Sequence, residues 1–280
     1  MRNLRRVAAA SIAAAIALAL AFGGSPDDLR LSLRSRVQAF KGSGDRQSAS
    51  IEYTLPASKT ALILCDMWDR HWCDTATRRV DALAHKMSPV VDLARQRGVL
   101  IIHAPSDTID FYKDHPARLK MLRFSPVQPP EALPLSEPPL LIDDSDGGCD
   151  NPDNSLQPNT RVWTREHAAI HIMDTDLISD NGREVYSALR ARGIQNILIA
   201  GVHTNMCVLN RSFGIRQMTK WGMRCILIRD LTDAMYNPAS RPFVSHERGT
   251  EMVIEHIESY WAPTVTSEQL VRALRAGARP

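Results

Sequence analysis

A chain of 280 residues with 44% apolar and 23% charged positions is long enough to bury a sizeable core, and its natural reading is one domain of about 200 residues with appendages. A formal net charge of +3, with no basic block outside the N-terminus, gives no footing for a nucleic-acid partner. Glycine and proline are too few for a disordered chain, and no internal repeat is evident.

In chain order, Arg2, Arg5 and Arg6 precede an Ala/Ile/Leu run over residues 7–22, and Ala19-Leu20-Ala21 supplies small residues for cleavage. This predicts a secretory signal peptide over 1–21. The run is short for a membrane span, so an uncleaved anchor is the second reading and the only route to a membrane. Export, periplasmic or secreted, implies an oxidising compartment. The cysteines are Cys65, Cys73, Cys149, Cys207 and Cys225. An odd count leaves at least one thiol free, and Cys207 is the choice for it; pairing among the others stays open. Residues 22–55 are polar, with a Gly/Ser stretch at 42–50, and read as a linker and N-terminal segment before the main domain over 56–280.

That domain alternates strands and helices. A buried strand over 60–65 leads to Asp66, then an apolar helical face at Val80, Leu83, Ala84, Met87, Val90, Val91 and Ala94. Gly98 stops the helix and a second strand follows over 99–103. Residues 104–158 are irregular, with eight prolines between 105 and 139, leaving a short helix near 114–123. The acidic run 143–150 partly echoes a calcium loop but lacks its first and twelfth ligands, and reads as a solvated turn. Further predictions are a strand over 160–164, a helix over 180–192, a strand over 197–200, a helix over 204–221 and a strand over 224–229. A helix over 245–260 and a weak strand and helix over 264–275 close the chain. The alternation predicts an α/β fold with a mainly parallel sheet.

Ligands of such folds bind beyond the carboxyl ends of the strands. Asp66, Arg165, Cys207 and Asp230 each follow a predicted strand. The stretch 196–208 is the most informative, because Cys207 falls in the first turn after a strand and a glycine. There the helix dipole and unpaired amides favour a thiolate. Asp66, at an apolar strand end, is the candidate acid/base. The amides of Met206 and Cys207 are candidate oxyanion donors, and Arg165 is the candidate cation.

These segments resemble the isochorismatase-like cysteine hydrolase superfamily, which includes nicotinamidases and N-carbamoyl amidohydrolases. Leu62-Ile-Leu-Cys-Asp66-Met67, Ile199-Ala-Gly-Val-His-Thr-Asn-Met-Cys-Val208 and Cys225-Ile-Leu-Ile-Arg-Asp230 carry the likeness, over residues 58–235. The resemblance implies a three-layer α/β/α, Rossmann-like fold, an Asp–Lys–Cys triad, and a cis peptide at Val202–His203. No lysine occupies the third position; Arg165 is the nearest cation. The family's Asp-x-His metal pair is absent, since His103, Asp107 and His115 lack its spacing, so no metal and no other cofactor is expected. Trp68, His71, Val202, His203 and Asn205 are expected to line the pocket. The implied activity is hydrolysis of a non-peptide C–N bond in a small-molecule amide through a Cys207 acyl-enzyme. Ether hydrolysis of the isochorismatase type is disfavoured, because that chemistry does not need the cysteine. The alternative is a catalytically silent small-molecule-binding protein. Assembly into a homo-oligomer is compatible with the family.

Overall fold

The computed structural model describes residue 25 and residues 27–276; the proposed signal peptide lies outside them. Its first element corrects the linker reading. Asp28–Gln38 (β1) and Arg46–Pro56 (β2) form an antiparallel hairpin. Leu29, Leu31 and Leu33 are buried while Arg30, Ser32 and Arg34 face the other way, which is the period of a strand with one face on the core. The Gly/Ser segment that reads as a linker is in large part this hairpin's turn and the start of its second strand.

Thr60–Cys65 (β3) is buried throughout. Asp74–Gln96 (α1) follows it and buries Val80, Ala84, Met87, Val91 and Ala94 along one stripe. Then come Leu100–Ala104 (β4), Pro116–Met121 (α2) and the two-residue Leu177–Ile178 (β5). Gly182–Ala191 (α3) starts where the Asn181 side chain accepts from the amides of Arg183 and Glu184. Asn196–Val202 (β6) feeds Cys207–Asn210 (α4), and Ile215–Lys220 (α5) leads to Arg224–Asp233 (β7). His246–Tyr260 (α6), Thr264–Val265 (β8) and Ser267–Ala276 (α7) complete the described chain.

The eight strands form one sheet in the order β2-β1-β8-β7-β6-β3-β4-β5. Strands β3 to β8 pair in parallel, and β1 is antiparallel to both β2 and β8. One apolar layer joins α1 and α7 to the sheet, the other α3, α5 and α6. This is the expected three-layer α/β/α architecture with a mainly parallel sheet.

Two predicted elements differ. Residues 160–164 form no strand; the run instead lies along 67–69 through a single bridge between Trp68 and Glu166. The helix predicted over 204–221 divides at Gly214, where a Cβ would stand 2.9 Å from the carbonyl oxygens of Arg211 and Val208. The acidic run is not a solvated turn either. Asp144 accepts from Asn205 and Asp146 from Asn237 and Ser240, so the loop is docked. A disulfide between Cys73 and Cys149 ties it to the start of α1. Among the described residues no helix is long and apolar enough to cross a membrane.

Candidate active site

The central strands β3 and β6 deliver the two reactive groups. They approach closely because Gly201 has φ +121°, and a Cβ there would fall 2.0 Å from the Cys65 carbonyl oxygen. Asp66 follows β3 with φ 49°, a left-handed conformation uncommon for a residue with a side chain. Its amide bonds the Ala104 carbonyl at 3.1 Å, and its Oδ1 accepts the Ser106 amide at 2.7 Å. The carboxyl group is fully buried.

Beyond β6 the Val202–His203 peptide is cis, as the family resemblance implies. The His203 carbonyl then accepts the amides of Met206 at 3.0 Å and Val208 at 3.2 Å, closing the turn that makes Cys207 the first residue of α4. Thr204 pins the turn to β7 through its amide to the Asp233 carbonyl at 2.9 Å. Cys207 thereby stands next to Asp66, close enough for each group to shift the other's proton affinity.

The cation of this site is Arg211, which sequence reasoning passed over. Its amide bonds the Cys207 carbonyl at 2.9 Å, one helical turn on, and its Nε donates to Asp66 Oδ2 at 3.1 Å. Its Nη2 reaches Asp107 Oδ2 at 3.3 Å. A helical period was the available signal: residues four apart share a face, so Arg211 had to emerge beside Cys207. Arg165, the predicted cation, lies elsewhere. It is half exposed, 4.0 Å from Asp69, with its guanidinium 5.7 Å from the Phe111 ring, and has no contact with Asp66 or Cys207.

Electrostatics define the resting state. Burial raises Asp66, and Arg211 together with hydrogen bonds from Cys207 and Ser106 works against that rise. Burial, then the neighbouring Asp66 charge, pushes the Cys207 thiol well above its ordinary value, against the pull of Arg211. The thiolate expected from a helix N-terminus is therefore not the ground state. A helix of four residues has little dipole to offer, and the desolvated sulfur beside a carboxylate keeps its proton. The arrangement is a thiol beside a buried carboxyl group that an arginine holds.

The predicted oxyanion donors separate. The Met206 amide is spent on the His203 carbonyl, whereas the Cys207 amide has no backbone acceptor among the described residues. The predicted pocket residues separate as well. Trp68 stacks on Trp163 with ring centres 4.5 Å apart, and His71 lies 6.0 Å from Trp163 and 4.8 Å edge-on from His203. Trp163, hidden in a segment that reads as a strand, is thus the centre of an aromatic wall. Burial holds His71 down to about 2 and His203 down to about 4, so both rings are neutral near pH 7. Asn205 is a clamp: its side chain exchanges hydrogen bonds with both backbone groups of Met235, at 2.8 and 3.0 Å, and donates to Asp144. Val202 belongs to the core with α1 and α7. Asp230 sits at the far side of β7, paired with Lys86 and Ser267.

The residues near β4 do not fit a metal. His103 gives Nδ1 to Glu166 at 2.7 Å and Nε2 to Asp176 at 3.1 Å, and His115 Nδ1 caps α2 through the Ala117 amide. Asp107 takes the Arg211 guanidinium. No cluster of three or more His, Cys, Asp or Glu suited to a metal occurs among the described residues.

An Isochorismatase domain family model matches residues 152–269. In fold the chain is similar to a cysteine hydrolase from Pseudomonas syringae pv. phaseolicola 1448A, at 16% identity over 80% of this chain and 96% of that one, with a TM-score of 0.50. It also matches an isochorismatase from Pseudomonas putida KT2440 (12% identity, 76% and 90% covered, TM-score 0.44). A third match is the pyrazinamidase of Pyrococcus horikoshii in complex with zinc (17% identity, 74% and 99% covered, TM-score 0.41). No curated protein matches the sequence.

Proposed function

We propose that this chain, isochorismatase-like in sequence and fold, is a cysteine hydrolase that cleaves a non-peptide C–N bond in a small amide. The observation that carries the reading is the juxtaposition of Cys207 and the buried Asp66 carboxyl, each acting on the other's protonation, with the Arg211 guanidinium on Asp66 Oδ2 at 3.1 Å.

In the proposed cycle Asp66 takes the thiol proton as Cys207 sulfur attacks the amide carbonyl carbon. The developing oxyanion meets the free Cys207 amide. As the C–N bond breaks, Asp66 returns the proton to the departing amine, leaving a thioester. Asp66 then deprotonates a water, which attacks the thioester and releases the acid and the thiol. Arg211 is a positioning residue: an arginine cannot shuttle protons, but it keeps a buried carboxylate charged and ready to accept one. The silent binding protein rested on the missing lysine, and a cation on Asp66 removes that ground. The aromatic wall of Trp68, Trp163 and His71, with both histidines neutral, suits a flat, small substrate. The predicted leader and the Cys73–Cys149 disulfide both favour an exported protein.

Iodoacetamide labelling with peptide mapping tests the site. Cys207 is expected to be alkylated while the buried Cys65 and Cys225 are spared. A panel of nicotinamide, N-carbamoyl amino acids and small primary amides, read by intact mass, is expected to reveal an acyl-enzyme on Cys207. A Cys207 that resists alkylation, with no acyl adduct from any amide, overturns the proposal.

A further inference from the structure

The outer edge of the N-terminal hairpin takes no part in this chemistry. β2 stands first in the sheet order and pairs with β1 alone, so its other edge carries no strand among the described residues. An open edge of 11 residues is a ladder of unpaired N–H and C=O groups. Proteins that keep such edges free guard them with lysine, an internal proline or a bulge. β2 reads Arg-Gln-Ser-Ala-Ser-Ile-Glu-Tyr-Thr-Leu-Pro, with no lysine, its one proline at the last position, and unbroken register against β1. Val37 and Ile51, on the same face of the hairpin, are 44% and 45% exposed.

We propose that this edge docks a second copy of the chain, β2 against β2 and antiparallel about Ala49. A two-fold axis normal to the sheet joins like edges and keeps every side chain on its own face, so opposed residues share parity. Among the registers this permits, the one centred on Ala49 sets Arg46 opposite Glu52 at both ends. It also sets Gln47 opposite Ile51 and Ser48 opposite Ser50. Centring on Glu52 or on Arg46 opposes like charges, and the remaining registers face both charges with neutral residues. Opposite charges across a strand pair stabilise it and like charges weaken it, so the sequence of the edge selects one self-complementary register. Arg46 is steadied against α6, its guanidinium 4.6 Å above the Tyr260 ring, and Glu52 is exposed. In this register the exposed Ile51 packs beside Gln47 of the second copy, with Val37 next along the row.

Sedimentation of the full chain up to about 100 µM, with hydrogen exchange at two concentrations, tests the proposal. A dimer is expected, with amides 46–52 protected only at the higher concentration. Glu52→Arg, a surface change that leaves the thermal transition in place, is expected to weaken the dimer about tenfold, more at low salt. The charge swap R46E/E52R is expected to restore it. Three results each overturn the proposal: a monomer throughout, a dimer indifferent to Glu52→Arg, or protection of 46–52 independent of concentration, which would mean the chain covers its own edge.

Discussion

At the end of β4, His103 is gripped from both sides by Glu166 and Asp176, and Arg95 closes on Asp176 with two hydrogen bonds of 3.0 and 2.9 Å. One strand away, after β3, Asp66 is held by Arg211 and Ser106 and faces a thiol. Both constellations are ionic and buried, yet their proton affinities are arranged differently. Burial opposes a charged His103, but Glu166 and Asp176 outweigh it and raise the ring to about 9. Each partner there gains by staying charged, so nothing moves. At Asp66 and Cys207 burial raises both groups, so two neighbouring groups each resist charge. A site that holds has opposite charges matched; the site proposed to transfer a proton sets side by side two groups that each resist charge.

The largest expected effect is on the transferring site. Cys207→Ala is expected to lower kcat by about 10⁴-fold or more, as removing a covalent nucleophile does, with the thermal transition little changed. Steady-state kinetics on the substrate found in the amide panel measures it. Retention of most of the activity would remove Cys207 from the mechanism and leave the two constellations equally structural.

Arg211→Ala is expected to cost about 10²- to 10³-fold in kcat/KM, the scale of losing a preorganised electrostatic partner. The pH profile separates this from general damage. Arg211 lowers Asp66, so its removal moves the acid limb of kcat/KM to higher pH. Arg211→Lys, which keeps the charge, is expected to recover part of the rate and return the limb. A rate loss with an unmoved acid limb would show that Arg211 acts on something other than Asp66.

The holding site is expected to answer in stability. His103→Ala leaves Glu166 and Asp176 buried with less countercharge, a change that costs about 3–5 kcal/mol. The sign of the pH dependence follows from the raised pKa. His103 contributes fully below its unfolded value near 6.5, and that contribution is lost as pH rises through about 9. Asp176 acts at the other end. Burial resists its charge, but bonds from His103 and Arg95 bring it to about 2, so its share is present above 3.8 and lost as pH falls through about 2. Urea unfolding across pH is therefore expected to show an alkaline decline between about 6.5 and 9 that flattens in His103→Gln. A wild-type curve flat over that range would contradict the ion pair.

Much of this was readable from residues. The runs at 60–65 and 197–200, the stop at Gly98 and the helix over 245–260 declared themselves through period and punctuation, and strand ends located Asp66 and Cys207. The hairpin was obscured because its Leu29-x-Leu31-x-Leu33 alternation is brief and adjoins a Gly/Ser turn. β5, at two residues, carries too little pattern to find. The oxyanion assignment divided on one backbone bond, from Met206 to the His203 carbonyl, that no side-chain pattern encodes. Trp163 and the docked acidic loop depend on contacts between segments roughly 60–95 residues apart, where local preference is silent.

Arg165 makes the finest test, because sequence order favoured it and geometry did not. It follows Trp163 in the segment where the resemblance to the isochorismatase-like hydrolases leads one to expect a lysine, and a linear reading assigns it the cation's role. The backbone of that segment is held to 67–69 by the Asp69 amide on the Arg165 carbonyl at 3.0 Å, and this turns the Arg165 side chain toward Asp69 and Phe111. A half-exposed ion pair at 4.0 Å is worth at most about 1 kcal/mol and is screened by salt. Arg165→Ala is therefore expected to change kcat/KM by less than about twofold and to leave the acid limb where it was, in contrast to Arg211→Ala. If Arg165→Ala instead reproduced the Arg211 phenotype, with a large loss and a shifted acid limb, the segment would have to swing during turnover and bring its guanidinium to Asp66. The resting distinction between the two arginines would then not survive into the reacting state.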